Sequence, residues 1–132
     1  MTNPADAPGP KSRKTLAQEK AKEGEEHACK HVASLGYRIV KRNFRFGQVG
    51  EIDIVAYDGE ELVFIEVKTR SDHSFGTPEA SVNPRKQAQL KRVARSYYYV
   101  NALQDVACRF DVIAVELINR KVEIRHHKNA FY

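Results

Sequence analysis

The chain has 132 residues, 42% hydrophobic and 30% charged, a composition that suits one globular domain with a modest core. Its two cysteines, Cys29 and Cys108, are too few for a disulfide scaffold or a four-thiolate zinc site and are read as reduced, packed thiols. No apolar run approaches the roughly 18 residues of a membrane span and no apolar secretory segment opens the chain, so a cytoplasmic protein with no membrane partner is expected.

The net charge of +5 is carried by the N-terminal part: residues 1–48 hold ten Lys/Arg against five Asp/Glu, and residues 49–132 hold twelve of each. Such a basic arm suits a polyanion such as nucleic acid, and a solubilising tail has the same composition. MTNPADAPGP, with three prolines and no apolar period, predicts a disordered tail over 1–11 ahead of one domain over 12–132. From about Ser12 the pattern turns helical: Ala21, Glu25, Ala28, Val32 and Leu35 share a stripe, and Gly36 supplies a C-terminal cap. Glu25 is the odd member. A carboxylate turned toward a core is either tilted to the edge of the stripe, in solvent, or matched by a cation.

Tyr37 to Phe46 alternates as a strand, with Arg38, Lys41, Arg42 and Arg45 near a sheet edge. Gly47 to Gly50 then turns the chain into GEIDIVAYDGEELVFIEVKTR, a hairpin over Gly50–Arg70. Hydrophobic parity requires an even-length loop, which puts Ile52, Ile54 and Ala56 on one face with Val63, Ile65 and Val67. A turn centred on Gly59-Glu60 sets Asp53 directly opposite Glu66. Glu51 and Lys68 join them on the same face, which Val55, Leu62 and Phe64 continue. Facing carboxylates repel. Either Lys68 neutralises them on a solvated face, or a divalent ion sits between them, and Mg2+, which takes carboxylate and phosphate oxygens, fits that place.

Ser71 to Val82 reads as a polar binding loop. Asn83-Pro84 starts a helix to about Val100, with Gln87, Leu90, Ala94 and Tyr97 on its inner face. Arg85, Lys91, Arg92 and Arg95 point outward, where they either solvate the helix or hold phosphates. At least two of Tyr97, Tyr98 and Tyr99 are expected to pack. Arg109 to Leu117 is a further strand, in which Asp111 is expected to make a structural hydrogen bond. After a turn near Asn119-Arg120 a last strand runs from Val122 to about His126. His126 and His127 point to opposite faces of it and read as surface residues.

Helix, three strands, helix, two strands, with a carboxylate on the second strand and Glu66-Val67-Lys68 on the third, resembles the core of the PD-(D/E)XK nuclease superfamily, although Ile52-Asp53 stands where that motif has Pro-Asp. GEEHACKHVASLGYRIVKRNFR, GEIDIVAYDGEELVFIEVKTR, FGTPEASVNPRKQAQL and RFDVIAVE are similar to the bacterial YraN family, whose members are similar to archaeal Holliday junction resolvases. The resemblance covers about Gly24 to Glu116. It implies an α/β, restriction-endonuclease-like fold with a central mixed sheet flanked by helices, and a metal-dependent endonuclease that hydrolyses phosphodiester bonds in DNA, including branched DNA such as Holliday junctions. Asp53, Glu66 and Glu25 would then hold Mg2+ or Mn2+, Lys68 would orient or help deprotonate the attacking water, and Gln87 would be a helix glutamine near the active site. Arg45, Arg70, Arg85, Lys91 and Arg92 are expected to position the DNA backbone. Junction cleavage favours a symmetric homodimer. The competing reading is a noncatalytic nucleic-acid-binding module on a nuclease fold.

Overall fold

The computed structural model describes residues 12–72 and 76–132. The tail expected over 1–11, and residues 73–75 of the expected loop, lie outside the described residues. Helix α1 (Arg13–Ser34) begins at Ser12, whose hydroxyl accepts from the Thr15 amide at 3.2 Å, and ends before Gly36, which adopts φ +87°. Strands β1 (Arg38–Phe46), β2 (Gly50–Asp58) and β3 (Glu61–Arg70) form an antiparallel meander. A short 3-10 turn (Pro78–Ser81) and helix α2 (Pro84–Val100) lead to β4 (Cys108–Ile118), parallel to β3, and β5 (Lys121–Phe131) returns antiparallel. The sheet order is β1-β2-β3-β4-β5, a mixed five-stranded sheet with two helices. No helix among the described residues is long and apolar enough to cross a membrane.

The central strands read as nearly continuous apolar runs because both of their faces are covered. Ala28, Cys29 and Val32 of α1 pack with Ile54, Ala56, Val63, Ile65, Val67, Ile113 and Val115 on one side. Leu90, Val93, Ala94 and Tyr97 of α2 pack with Phe44, Ile52, Val55, Leu62 and Phe64 on the other. Only the second half of α1 is docked: Gly24, Ala28, Cys29 and Val32 are buried, whereas Ala21 and Leu35 of the expected stripe are exposed.

Ile52 does not share a face with Ile54 and Ala56 as parity predicted; it belongs to the α2 side. The same inversion occurs across the ladder. Arg42 pairs with Ile54 and reaches Glu26 of α1, whereas Phe44 pairs with Ile52 and packs under α2. Between these pairs lie Asn43, with φ 53°, and Asp53. A left-handed residue breaks the two-residue alternation of a strand, and asparagine is one of the few side chains that adopt this conformation readily.

Three further expectations are corrected. The last strand continues to Phe131, because an edge strand whose outward side chains are polar still pairs with β4, through a register shift between Val112↔His127 and Phe110↔Phe131. His126 is not a surface residue: its side chain is 7% exposed and bonds Asp111 at 2.8 Å and His31 at 3.1 Å, while His127 faces Glu79 from the other side. Cys29 is buried but Cys108 is exposed. The Asn119-Arg120 turn forms as expected with both φ angles positive, the primed geometry that suits sheet twist. Tyr97 and Tyr98 pack, and Tyr99 is exposed.

The docking of α1 on β3 is closest at Gly24. A Cβ there would lie 1.9 Å from Thr69 Oγ1 and 2.9 Å from Thr69 Cβ. Gly24→Ala is expected to lower stability by about 1–3 kcal/mol in urea unfolding, and adding Thr69→Ala is expected to recover part of that loss. Purely additive effects of the two changes would contradict the tight contact.

Candidate functional site

The β2–β3 ladder keeps the expected register from Asp58↔Glu61 to Ile54↔Ile65 and ends there. The expected ladder pair of Asp53 with Glu66 therefore does not form. Instead the Val67 amide donates to Asp53 Oδ2 at 2.8 Å, which fixes the orientation of that carboxylate. Asp53 still interacts with the carboxyls of both Glu66 and Glu25. One oxygen each from Glu25, Glu51 and Asp53 lies within 4.8 Å of the others.

Each carboxyl is placed by a backbone constraint. Glu25 follows Gly24, where α1 lies too close to Thr69 of β3 to admit a Cβ. Glu51 follows Gly50 (φ +147°), where a Cβ would lie 2.9 Å from Gln89 Nε2; Gln89 Nε2 in turn donates to the Val49 carbonyl at 3.0 Å. Asp53 sits at the inversion opposite Asn43, and Glu66 is buried on β3.

Burial raises the pKa of Glu25, Asp53 and Glu66 above the ordinary carboxyl range. Glu66 is pushed up to about 8, first by burial and then by Asp53, with only partial relief from Lys86 and Lys68. A contact between two carboxyls is stable only with a proton or another cation between them. Lys86 Nζ lies 3.3 Å from Glu66 Oε2 but outside hydrogen-bonding geometry, so this oxygen is buried without a hydrogen-bond partner.

The other sequence-predicted residues are not all gathered at this group. Lys68 is half-buried and lines, with Lys20, Thr69 and Thr77, a groove of about 530 Å3 between α1, the end of β3 and the 3-10 turn. Gln87 donates to the Val82 carbonyl at 3.1 Å, securing the start of α2. Arg45 pairs with Glu51 at 3.8 Å. Arg85 and Arg92 are exposed around a second pocket shared with Lys86 and Gln89. Arg70 is bound to Glu116 and to the Gly76 carbonyl. Lys91 lies over the Phe131 ring, 5.9 Å from its centroid. Sequence reasoning missed Lys86, Gln89 and Gly24. Lys86 had a signal, since it precedes Leu90 by one helical turn and so projects from the inner face of α2.

Residues 24–115 match the uncharacterised protein family UPF0102. The chain belongs to UPF0102, also known as the YraN family. A UPF0102 protein of Chlorobaculum tepidum is 50% identical over 117 residues, covering 83% of this chain and 88% of its own. One from Moorella thermoacetica is 53% identical over 94 residues, covering 71% and 78%, and one from Geotalea daltonii is 44% identical over 124 residues, covering 93% and 94%. The UPF0102 match includes Glu25, Glu51, Asp53, Glu66, Lys68 and Lys86 and stops before β5.

The raised pKa of Glu66 has a definite effect on stability. A carboxyl whose folded pKa of about 8 exceeds its ordinary 4.5 favours folding while protonated and loses that advantage as pH rises from 4.5 through 8. In EDTA, Glu66→Gln is therefore expected to melt progressively higher than the wild type across this window, with a difference on the order of a few kcal/mol above it. A pH-independent difference between the two melting curves would refute the assignment.

Proposed function

We propose that this UPF0102 chain is a metal-dependent endonuclease that hydrolyses phosphodiester bonds in DNA, on a core of the PD-(D/E)XK type. The observation that carries this reading is the carboxyl group: three oxygens from Glu25, Glu51 and Asp53 within 4.8 Å, with the buried, unbonded Oε2 of Glu66 on the carboxyl that touches Asp53. An all-oxygen donor set suits Mg2+ or Mn2+, and a divalent charge relieves the repulsion that otherwise forces protons into the cluster. Asp53, Glu66 and Glu25 would hold the ion, with Glu51 as a further donor.

A divalent ion bound there supplies neutralisation of phosphate charge and a more acidic bound water. The chain supplies the rest. The Val67 amide holds Asp53 in one orientation, so the ligand set is organised before substrate arrives. Lys68, two residues beyond Glu66 and half-buried at the groove, adds positive charge where the transition state becomes more negative. Arg45, paired with Glu51, and Arg85 and Arg92, at the pocket that Lys86 shares, are exposed and would bind backbone phosphates without reading bases. Arg70 acts at one remove, through Glu116 and the Gly76 carbonyl that it ties together. Lys91, over Phe131, would extend the phosphate contacts along α2. Branched DNA, cut by a symmetric dimer presenting two such sites, is the substrate class in keeping with this reading.

The test is cleavage of labelled linear and branched DNA in Mg2+ or Mn2+, with Asp53→Ala purified identically. Cleavage that requires metal and falls to background in Asp53→Ala is expected. Equal inactivity of both proteins on DNA that they bind would favour a noncatalytic nucleic-acid-binding module.

A further inference from the structure

Lys86 has no part in the reading above beyond its proximity to Glu66, yet its surroundings differ on its two sides. On one side is the buried carboxyl of Glu66, with Nζ at 3.3 Å and no hydrogen bond formed. On the other is a pocket of about 450 Å3 lined by Ser81, Asn83, Arg85, Gln89 and Arg92 together with Lys86 itself. No carboxylate contributes to that lining, and every side chain in it is a hydrogen-bond donor or a cation. The pocket is therefore a seat for an anion, and the Lys86 side chain, 31% exposed, borders it. Lysine carries a compact charge on a flexible four-carbon stem, so its ammonium moves between two partners at little conformational cost. Asn83 fixes the base of that stem by accepting from the Lys86 amide at 3.0 Å.

We propose that Lys86 is a displaceable counter-ion: its ammonium balances the ionised Glu66 carboxylate while no divalent ion does, and passes to a backbone phosphate of bound DNA once the ion takes Glu66 over. The inference rests on the nuclease reading and adds a coupling to it. Metal binding releases a cation into the anion pocket, so metal and DNA reinforce each other's binding through Lys86. A fixed structural counter-ion would remain on Glu66 in both states, and an ordinary phosphate contact would be available in both.

The measurement is fluorescence anisotropy of labelled duplex and four-way DNA across a salt series at about pH 9, where Glu66 is ionised even without metal, in EDTA and in Ca2+ at a concentration that saturates each protein, with DNA integrity checked on gels. Wild type, Lys86→Met, Lys86→Gln and Arg92→Met are compared after their melting temperatures are matched. In EDTA the two Lys86 variants are expected to bind like the wild type. In Ca2+ they are expected to bind severalfold more weakly, with a slope of log affinity against log salt smaller by about one. Arg92→Met, by contrast, is expected to bind more weakly in both conditions. Equal weakening of the Lys86 variants in EDTA and Ca2+, or no weakening in either, overturns the inference while leaving the nuclease reading in place. Wild-type protein that binds DNA in neither condition overturns both.

Discussion

Asp53 interacts with Glu25 on one side and Glu66 on the other, and burial raises the pKa of all three. Two unit charges about 4 Å apart repel by about 4 kcal/mol at the effective dielectric of a protein surface. The attraction that normally organises charged side chains cannot assemble such a group. Backbone packing does it instead. Gly24 against Thr69 brings α1 down to β3, the inversion at Asn43 and Asp53 redirects one carboxylate, and Gln89 over Gly50 anchors the start of β2 beside Glu51. The favourable energy comes from the two apolar clusters, and the acidic group is carried on them.

The same chain treats its other buried or half-buried acids differently. Arg125 forks onto Glu79 through two bonds of 2.9 Å and reaches Glu116 at 3.0 Å, and its guanidinium holds both carboxyls below the usual range. Burial works against the charged form of Asp111, but His126, Arg109 and the Asn129 amide outweigh it and its pKa is lowered. These acids favour folding when ionised and lose that contribution as pH falls toward their folded pKa values, the reverse of Glu66. Satisfied acids fix structure: Glu79 and Glu116 tie the 3-10 turn to β4 and β5, and that turn forms one wall of the groove lined by Lys68. In the Glu25, Asp53 and Glu66 group burial outweighs the relief from Arg42, Lys86, Lys68 and the Val67 amide, which sets it apart as a place built to receive charge.

Element identity was legible in the sequence wherever caps, turn residues and apolar period agreed, as at Ser12, Gly36, Gly59-Glu60 and Asn83-Pro84. The register of the β2–β3 hairpin followed from hydrophobic parity together with a turn centred on Gly59-Glu60. What parity could not supply was its own failure: a single left-handed Asn43 on the neighbouring strand inverts the faces, and asparagine in a strand announces no such thing. His126 was misplaced for a related reason, since its partners His31 and Asp111 lie 95 and 15 residues away and leave no local trace. Glu25 was visible as a charged residue on an apolar stripe. Lys86 was passed over because a lysine among four other cations of the same helix reads as surface, although its spacing from Leu90 turned it inward.

The inversion also explains why the site occupies the end of the sheet. In a regular hairpin Asp53 and Glu66 would stand side by side on the α2 face, with the sheet itself separating them from Glu25 on α1. The ladder between β2 and β3 stops at Ile54↔Ile65, and Asp53 becomes the residue at which the two layers meet. Glu25 arrives from the α1 side, while Glu66 meets Lys86 of α2. Carboxyls from two helix–sheet layers can converge only where the sheet no longer acts as a wall between them. The loss of regular pairing at this point is therefore the structural condition for the cluster, and the apolar pairs just behind it, Ile54 with Ile65 and Val55 with Phe64, confine that loss to one end.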